Sequence, residues 1–294
     1  MNKVGFIGVG IMGKSMVRNL MKAGFELHIY ARTKSKVEDV ISEGAQFHES
    51  IKDCVQDCDA VITIVGFPQD VEEVYFDEGN ILDSAKKGAY LIDMTTTSPQ
   101  IAEKIYEEGI KRGFHVMDAP VTGGDTGAKA GTLSILVGGE KEDYEACMPL
   151  FEAMGTNINY QGKAGCGQHC KLANQIMIAG TLSGVCEALT YAKEQGLDPE
   201  VFMKSVATGA AGSKQLDTFG PKILKDDYAP GFFMKHFIKD MKLALIEANR
   251  KGLSLDVLSM VLANYEELEQ EGYGDLGTQA LMKFYDEEHR NTEE

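Results

Sequence analysis

Residues 3–13 constrain what this chain can fold into more tightly than any other stretch. The short apolar run Lys3–Val9 ends in glycines, and Gly8-Val9-Gly10-Ile11-Met12-Gly13 opens a segment with apolar residues at helical spacing, Ile11, Met12, Met16 and Leu20, which Gly24 stops. A strand, a glycine turn and a helix in that order leave each glycine a separate task. Gly8 permits the tight turn, Gly10 lets a ligand approach the backbone, and Gly13 lets helix and strand pack closely. The helix N-terminus offers free N–H groups and partial positive charge, which suits a pyrophosphate. Gly8, Gly10, Ile11, Met12 and Gly13 therefore read as the cradle of a dinucleotide.

The first half continues the alternation. Glu26–Tyr30 reads as a strand and Lys34–Ser42 as a helix; Ala60–Val65 and Ala89–Met94 are apolar runs of the kind buried on both faces, with Thr95–Ser98 and Pro99 forming a loop and helix start. His115–Ala119 and Thr132–Val137 complete the strands. Strands alternating with helices imply a mainly parallel sheet covered on both faces. After Gly162 helical periodicity takes over. Ala164–Gln195 has no proline and reads as one long helix, closed by Gly196, Asp198 and Pro199. Further helices are expected at Glu200–Thr208, Lys214–Leu224, Phe233–Lys251, Asp256–Glu271 and Leu281–Asp286, with Glu287–Glu294 a frayed acidic tail. The expected architecture is an α/β Rossmann-type doubly wound sheet over residues 1–162, followed by an all-α C-terminal domain over residues 163–294.

Composition narrows the partners. With 294 residues, 44% apolar, 25% charged and only 7 Pro, the chain can build two real cores, which excludes disordered and low-complexity classes. Its 29 basic and 45 acidic residues give a net charge of −16, a field that repels nucleic-acid backbones and anionic membranes. No signal peptide is visible and no apolar stretch reads as long enough to span a bilayer, so a soluble cytoplasmic protein is expected. The cysteines at 54, 58, 147, 166, 170 and 186 lack the two-residue spacing of metal knuckles, so free thiols and no metal are expected.

The end of the second strand bears on cofactor choice. An acidic residue there would hold the ribose hydroxyls of NAD. This chain has His28-Ile29-Tyr30-Ala31-Arg32-Thr33-Lys34, with no carboxylate available at the strand end. Arg32 can fork onto a 2′-phosphate and Thr33 can add a hydroxyl bond, so NADP is expected over NAD, with NAD possible.

Longer blocks carry a resemblance. Gly5-Phe6-Ile7-Gly8-Val9-Gly10-Ile11-Met12-Gly13-Lys14-Ser15-Met16, with Asn19-Leu20 after it, resembles the opening signature of the β-hydroxyacid dehydrogenase family. Asp118-Ala119-Pro120-Val121-Thr122-Gly123-Gly124 is similar to its substrate-binding segment, and Gly165-Cys166-Gly167-Gln168-His169-Cys170-Lys171-Leu172-Ala173-Asn174-Gln175 to its catalytic block. Lys239-Asp240-Met241-Lys242-Leu243-Ala244 is similar to its late cofactor-contacting block. The resemblance implies hydride transfer between a nicotinamide cofactor and a short-chain hydroxy acid, such as 3-hydroxyisobutyrate or glycerate, and its semialdehyde. It also implies a homodimer or homotetramer.

Hydride transfer to a carbonyl builds charge on oxygen, so a proton donor must stand within hydrogen-bond reach. Lys171, about two turns into the long helix, is the candidate general acid/base; partial desolvation there would lower its pKa. Asn174, three residues on, shares its helix face and could orient a substrate oxygen or carboxylate. Gln175 stands where many relatives have a second Asn, and the Asn174-Gln175 pair resembles the tartronate semialdehyde reductase branch. Thr122 replaces the usual Ser beside Gly123 and Gly124, which narrows the pocket expected for the substrate carboxylate. By resemblance Val65, Thr96 and Lys239 contact the cofactor, with Asp240 holding Lys239. His115 and His236 lie in apolar sequence and read as structural, and Phe232, Phe233 and Phe237 as core or interface. Two other readings compete with this one: an imine reductase-like enzyme of the same fold, or a non-catalytic NADP-binding module. Both groups typically lack the lysine, and Lys171 argues against each.

Overall fold

In the computed structural model, which describes residues 1–285, the glycine turn sits where the sequence puts it. The first strand, β1 (Lys3–Ile7), leads through the turn to α1 (Ile11–Lys22) and β2 (Glu26–Tyr30), then α2 (Glu38–Ser42), β3 (Gln46–Phe47), α3 (Ile51–Val55) and β4 (Ala60–Thr63). Next come α4 (Pro68–Phe76), α5 (Ile81–Ser84), β5 (Tyr90–Asp93), α6 (Pro99–Arg112), β6 (His115–Asp118), β7 (Val121–Thr122), α7 (Gly124–Ala130) and β8 (Leu133–Gly139). The α/β part closes with α8 (Lys141–Ala146), α9 (Met148–Met154) and β9 (Gly155–Gly162). The remainder is helical: α10 (Cys166–Glu194), α11 (Pro199–Ala207), α12 (Lys214–Ile223), α13 (Met234–Arg250) and α14 (Asp256–Gln270), followed by two 3₁₀ segments at Tyr273–Asp275 and Thr278–Tyr285.

The sheet runs β3-β2-β1-β4-β5-β6-β8-β7, with β9 also paired to β8. Strands β3 through β6 in that order are mutually parallel, β8 is antiparallel to β6 and β7, and β9 is parallel to β8. Neighbouring residues on each central strand bury opposite ways. Phe6, Ile62, Ile92 and Met117 join one apolar layer with Met16, Leu20 and Phe151, while Ile7, Val61, Leu91 and Val116 join a second with Val55, Tyr75 and Ile105. The period of two along a strand explains how one run feeds both cores. Order reverses at β1, with β2 on one side and β4 on the other. In open α/β sheets ligands bind beyond the strands' carboxyl ends at such a switch point.

The chain divides into two compact units, Met1–Lys171 and a second from Leu172 onward. The second has its own core, in which Ala179, Leu182, Cys186 and Leu189 of α10 pack with Phe237, Met241 and Ala244 of α13 and Val261, Tyr265 and Leu268 of α14. The Tyr265 hydroxyl, buried in that core, donates to the Thr278 carbonyl at 2.7 Å.

Several expectations need correction. The helix expected over 34–42 is a 3₁₀ turn at Lys34–Lys36 and a five-residue helix, because Val37 leaves helical dihedrals (φ −126°) to bury its side chain. Strands β3, β7 and β9 were not expected; two are only two residues long, and β9 is an edge strand whose asparagines hide the apolar alternation. The last helix, expected over Leu281–Asp286, is 3₁₀ and begins at Thr278, while residue 286 and the expected tail at 287–294 lie outside the described residues. By length and composition alone α10 does reach what a membrane span needs, contrary to expectation. Its apolar face packs in the second unit's core, and Gln168, Lys171 and Gln175 on the same helix are buried polar groups. His115 is not in apolar surroundings: it stacks on Tyr90 and places Nδ1 2.7 Å from Asp143 Oδ1, half exposed at the start of β6.

Candidate active site

The glycine turn has the geometry its spacing asks for. Gly8 takes φ +97°, and a Cβ there would lie 2.1 Å from the Ile64 carbonyl oxygen. A Cβ on Gly13 would lie 2.1 Å from the Gly8 carbonyl oxygen, so helix and strand are as close as backbones allow. Gly10 differs from both. A Cβ there would meet nothing within 4 Å, so open space faces the backbone at the N-terminus of α1. That helix has no side-chain cap and no acidic residue in its first turn, which leaves its N–H groups for an anion. A dinucleotide pyrophosphate fits this cradle.

Arg32 follows β2 and is exposed, its guanidinium included. A carboxylate does stand beside it. Asp70, in the first turn of α4, places Oδ1 2.5 Å from Arg32 Nη2 while its Oδ2 accepts from the Phe67 N–H at 2.9 Å. No local pattern at the end of β2 could show this, because Asp70 arrives across β1 through the pairing of β1 with β4. The strand-end rule alone therefore does not decide between NAD and NADP. Thr33, exposed, precedes the 3₁₀ turn.

The loops after β4 and β5 are tied together. Val65 N–H donates to Thr95 Oγ1 at 3.0 Å, and the Asp93 carboxylate accepts from Thr63 Oγ1 at 2.8 Å and from the Thr95 N–H at 3.1 Å. Burial pushes the Asp93 carboxyl up to about 6. Gln168, fully buried in the first turn of α10, clamps the next loop: its Oε1 accepts from Thr97 N–H at 3.0 Å and its Nε2 donates to the Thr95 carbonyl at 2.7 Å. Thr96 sits between these two anchored residues.

Asp118, at the end of β6, fixes where α10 starts. Its carboxylate accepts from the N–H groups of Gly165 and Gln168, both at 2.8 Å, capping the helix with a negative charge. Burial raises this carboxyl above its usual range against the pull of those two bonds. Gly167 makes the approach possible, since a Cβ there would lie 2.4 Å from the Leu136 carbonyl oxygen. Sequence reasoning missed the roles of Asp118 and Gln168. The one available signal was a carboxylate closing a buried apolar run.

With α10 anchored, Lys171 is its sixth residue and is 7% exposed. Asn174, half-buried, shares its helix face. Asn174 Nδ2 donates to Gln175 Oε1 at 2.8 Å, and Gln175 Nε2 donates to Asp240 Oδ2 at 2.7 Å. Asp240, fully buried on α13, places Oδ1 2.9 Å from Lys239 Nζ. The structure thus joins Asn174 to Lys239 through two buried side chains. Thr122 ends β7, half-buried, and Gly123 and Gly124 follow with φ +130° and +63° at the start of α7. A Cβ on Gly124 would meet nothing within 4 Å. Among the described residues no group of three or more His, Cys, Asp or Glu is arranged to hold a metal ion.

Two family models match this chain in order. The NAD-binding domain of 6-phosphogluconate dehydrogenase covers residues 3–162, and the NAD-binding domain of NADP-dependent 3-hydroxyisobutyrate dehydrogenase covers residues 165–285. The chain belongs to the β-hydroxyacid dehydrogenase family. It is 49% identical to an uncharacterised oxidoreductase of Bacillus subtilis, over 96% of this chain and 98% of that one. It is 38% identical to 2-hydroxy-3-oxopropionate reductase of Escherichia coli, over 86% of each. The solved structure of Mycobacterium tuberculosis 3-hydroxyisobutyrate dehydrogenase with L-serine superposes with a TM-score of 0.88 at 26% identity, covering 96% of this chain and 98% of that one. As a β-hydroxyacid dehydrogenase the protein is a nicotinamide-dependent oxidoreductase, and the family's blocks fall on the glycine turn, the β6–β7 segment, the start of α10 and α13.

Proposed function

We propose that this β-hydroxyacid dehydrogenase interconverts a short-chain hydroxy acid and its semialdehyde, prefers NADP, and uses Lys171 as its general acid/base. The observation that carries the reading is Lys171 itself. It is a buried lysine in the second turn of a helix whose first turn is bonded to the carboxyl ends of β5 and β6. Gly8, Gly10, Ile11, Met12 and Gly13 would hold the pyrophosphate, with Val65, Thr96 and Lys239 as further contacts, and bound nicotinamide supplies or accepts the hydride. Lys171 Nζ gives a proton to the developing oxyanion in reduction and takes it from the hydroxyl in oxidation. Thr122 and the N–H groups of Gly123 and Gly124 hold the substrate carboxylate, and Asn174 orients its reacting end. Arg32 supports the preference for NADP, with a guanidinium exposed enough to reach a 2′-phosphate. The E. coli relative is a reductase of 2-hydroxy-3-oxopropionate, which supports the substrate class. A homodimer or homotetramer is part of this reading, supported by Met177, Tyr191, Val257 and Met260, large apolar side chains left exposed on the helical unit.

The test is a panel of small semialdehydes and hydroxy acids assayed with NADPH and NADH. Turnover is expected with NADPH on at least one pair, and Lys171→Ala should lower kcat by about 10²–10⁴-fold. Unchanged turnover in Lys171→Ala would remove the lysine from the mechanism.

A further inference from the structure

The hydrogen-bond chain from Asn174 to Lys239 has a direction. Asp240 is fully buried, with Oδ1 beside Lys239 Nζ and Oδ2 taking a bond from Gln175 Nε2. A carboxylate can only accept, so Gln175 must turn its amide nitrogen toward Asp240 and its carbonyl away. Gln175 Oε1 can then only accept in its turn, and it takes one hydrogen of Asn174 Nδ2. One buried negative charge therefore sets the flip of two carboxamides in series. Gln175 is 1% exposed, so reversing it would set donor against donor at Asn174 and acceptor against acceptor at Asp240 with no water to replace the lost bonds, and reversing Asn174 would set its oxygen against Gln175 Oε1. At the open end of the chain stands Asn174, with Oδ1 turned away from Gln175 and on the same helix face as Lys171.

We propose that Gln175 is a positioning residue for the reaction: held by Asp240, it presents Asn174 Oδ1 as an acceptor for a hydroxyl or ammonium hydrogen of the substrate, and it ties that orientation to Lys239. This rests on the reading above that Asn174 meets the substrate. It refines that reading, because an amide with one N–H already committed is better suited to a donor on the substrate than to its carboxylate. The length of Gln175 matters. An asparagine at this position would be one methylene shorter and could not keep both partners at 2.7 and 2.8 Å without moving a helix.

Gln175→Met keeps the length and removes both hydrogen bonds. It is expected to raise KM for the hydroxy acid about tenfold, with kcat within about threefold, while the NADPH dissociation constant read by cofactor fluorescence stays within about twofold. Asp240→Asn should weaken both ligands, since Lys239 loses its partner as well. The double variant Gln175→Glu with Asp240→Asn puts the acceptor between two amide donors, so KM for the hydroxy acid should return to within about threefold of wild type. A readout independent of turnover is the pair of side-chain amide proton signals of Asn174, assigned by their loss in Asn174→Asp. They should be well separated and protected from exchange in the wild type, and should converge in Gln175→Met. A folded Gln175→Met with wild-type KM, a double variant no better than Asp240→Asn, or amide signals unmoved by Gln175→Met would each overturn the proposal. If Gln175→Met fails to fold, the comparison of Asp240→Asn with the double variant decides. Absence of turnover in the wild type would overturn the hydroxy-acid reading alone, and the amide signals would still judge Gln175.

Discussion

The glycine turn and the α10–α13 network both prepare the chain for charged ligands, and they do so by opposite means. At the turn, side chains are taken away. Gly8 and Gly13 bring backbones within 2.1 Å of where a Cβ would sit, and Gly10 leaves open space before uncapped N–H groups. In the network, side chains are packed in. Gln175 and Asp240 are buried, bonded to each other, with Asn174 on Gln175 and Lys239 beside Asp240. Backbone donors at a helix start point along the axis without help, so they need only room. Side-chain amides can flip, so each needs a partner that permits a single orientation.

That contrast can be broken first at the glycines. Gly13→Ala should cost about 3 kcal/mol of unfolding free energy, because the new methyl meets backbone that cannot rotate away. Gly10→Ala should leave the denaturation midpoint within about 0.5 kcal/mol yet weaken NADPH binding by more than about tenfold. Equal stability losses in the two variants would show that the turn is held by something other than close backbone approach.

An effect of similar size is expected at Asp93, where the sheet buries a carboxylate. Its folded pKa is raised to about 6 from an ordinary value of 3.8, so the folded state binds its proton more tightly than the unfolded chain does. The resulting stabilisation is complete below pH 3.8 and is lost as pH rises through about 6, a change on the order of 3 kcal/mol. Asp93→Asn should flatten the stability profile between those pH values in denaturant titrations. An unchanged slope would assign the dependence to another group.

The smallest effect sharpens the comparison from the cofactor side. Arg32→Ala should raise KM for NADPH about tenfold, near 1.4 kcal/mol, and leave KM for NADH within about twofold, because the turn treats the two pyrophosphates alike. A parallel loss for both cofactors would mean that the Arg32–Asp70 pair holds the loop rather than reads the 2′-phosphate.

What was legible in the sequence follows the same division. The strands β1, β4 and β5 and the long helix α10 stand in the pattern because each is a continuous apolar or unbroken helical run. The glycine roles were legible because spacing alone assigns them. Short or polar elements such as β3 and β9 were not, since two residues carry no period and Asn157 and Asn159 hide one. The block that carries Lys171 and Asn174 is local in the sequence, whereas the caps and clamps around it are not. Asp118 meets Gly165 and Gln168 across 47 and 50 residues, and Gln168 reaches back 71 residues to Thr97.

The sequence by itself determined the longer apolar strands and the long helix α10, the change of pattern near Gly162, the nucleotide cradle and the family blocks, because these depend on residues within one turn or one strand of each other. Only the tertiary structure decided that Asp70 stands beside Arg32, that Asp118 sets the start of α10, and that Asp240 orients Gln175 and Asn174. Each of those is a charge meeting a distant partner. Such pairings are set by which elements pack side by side, which no local spacing records.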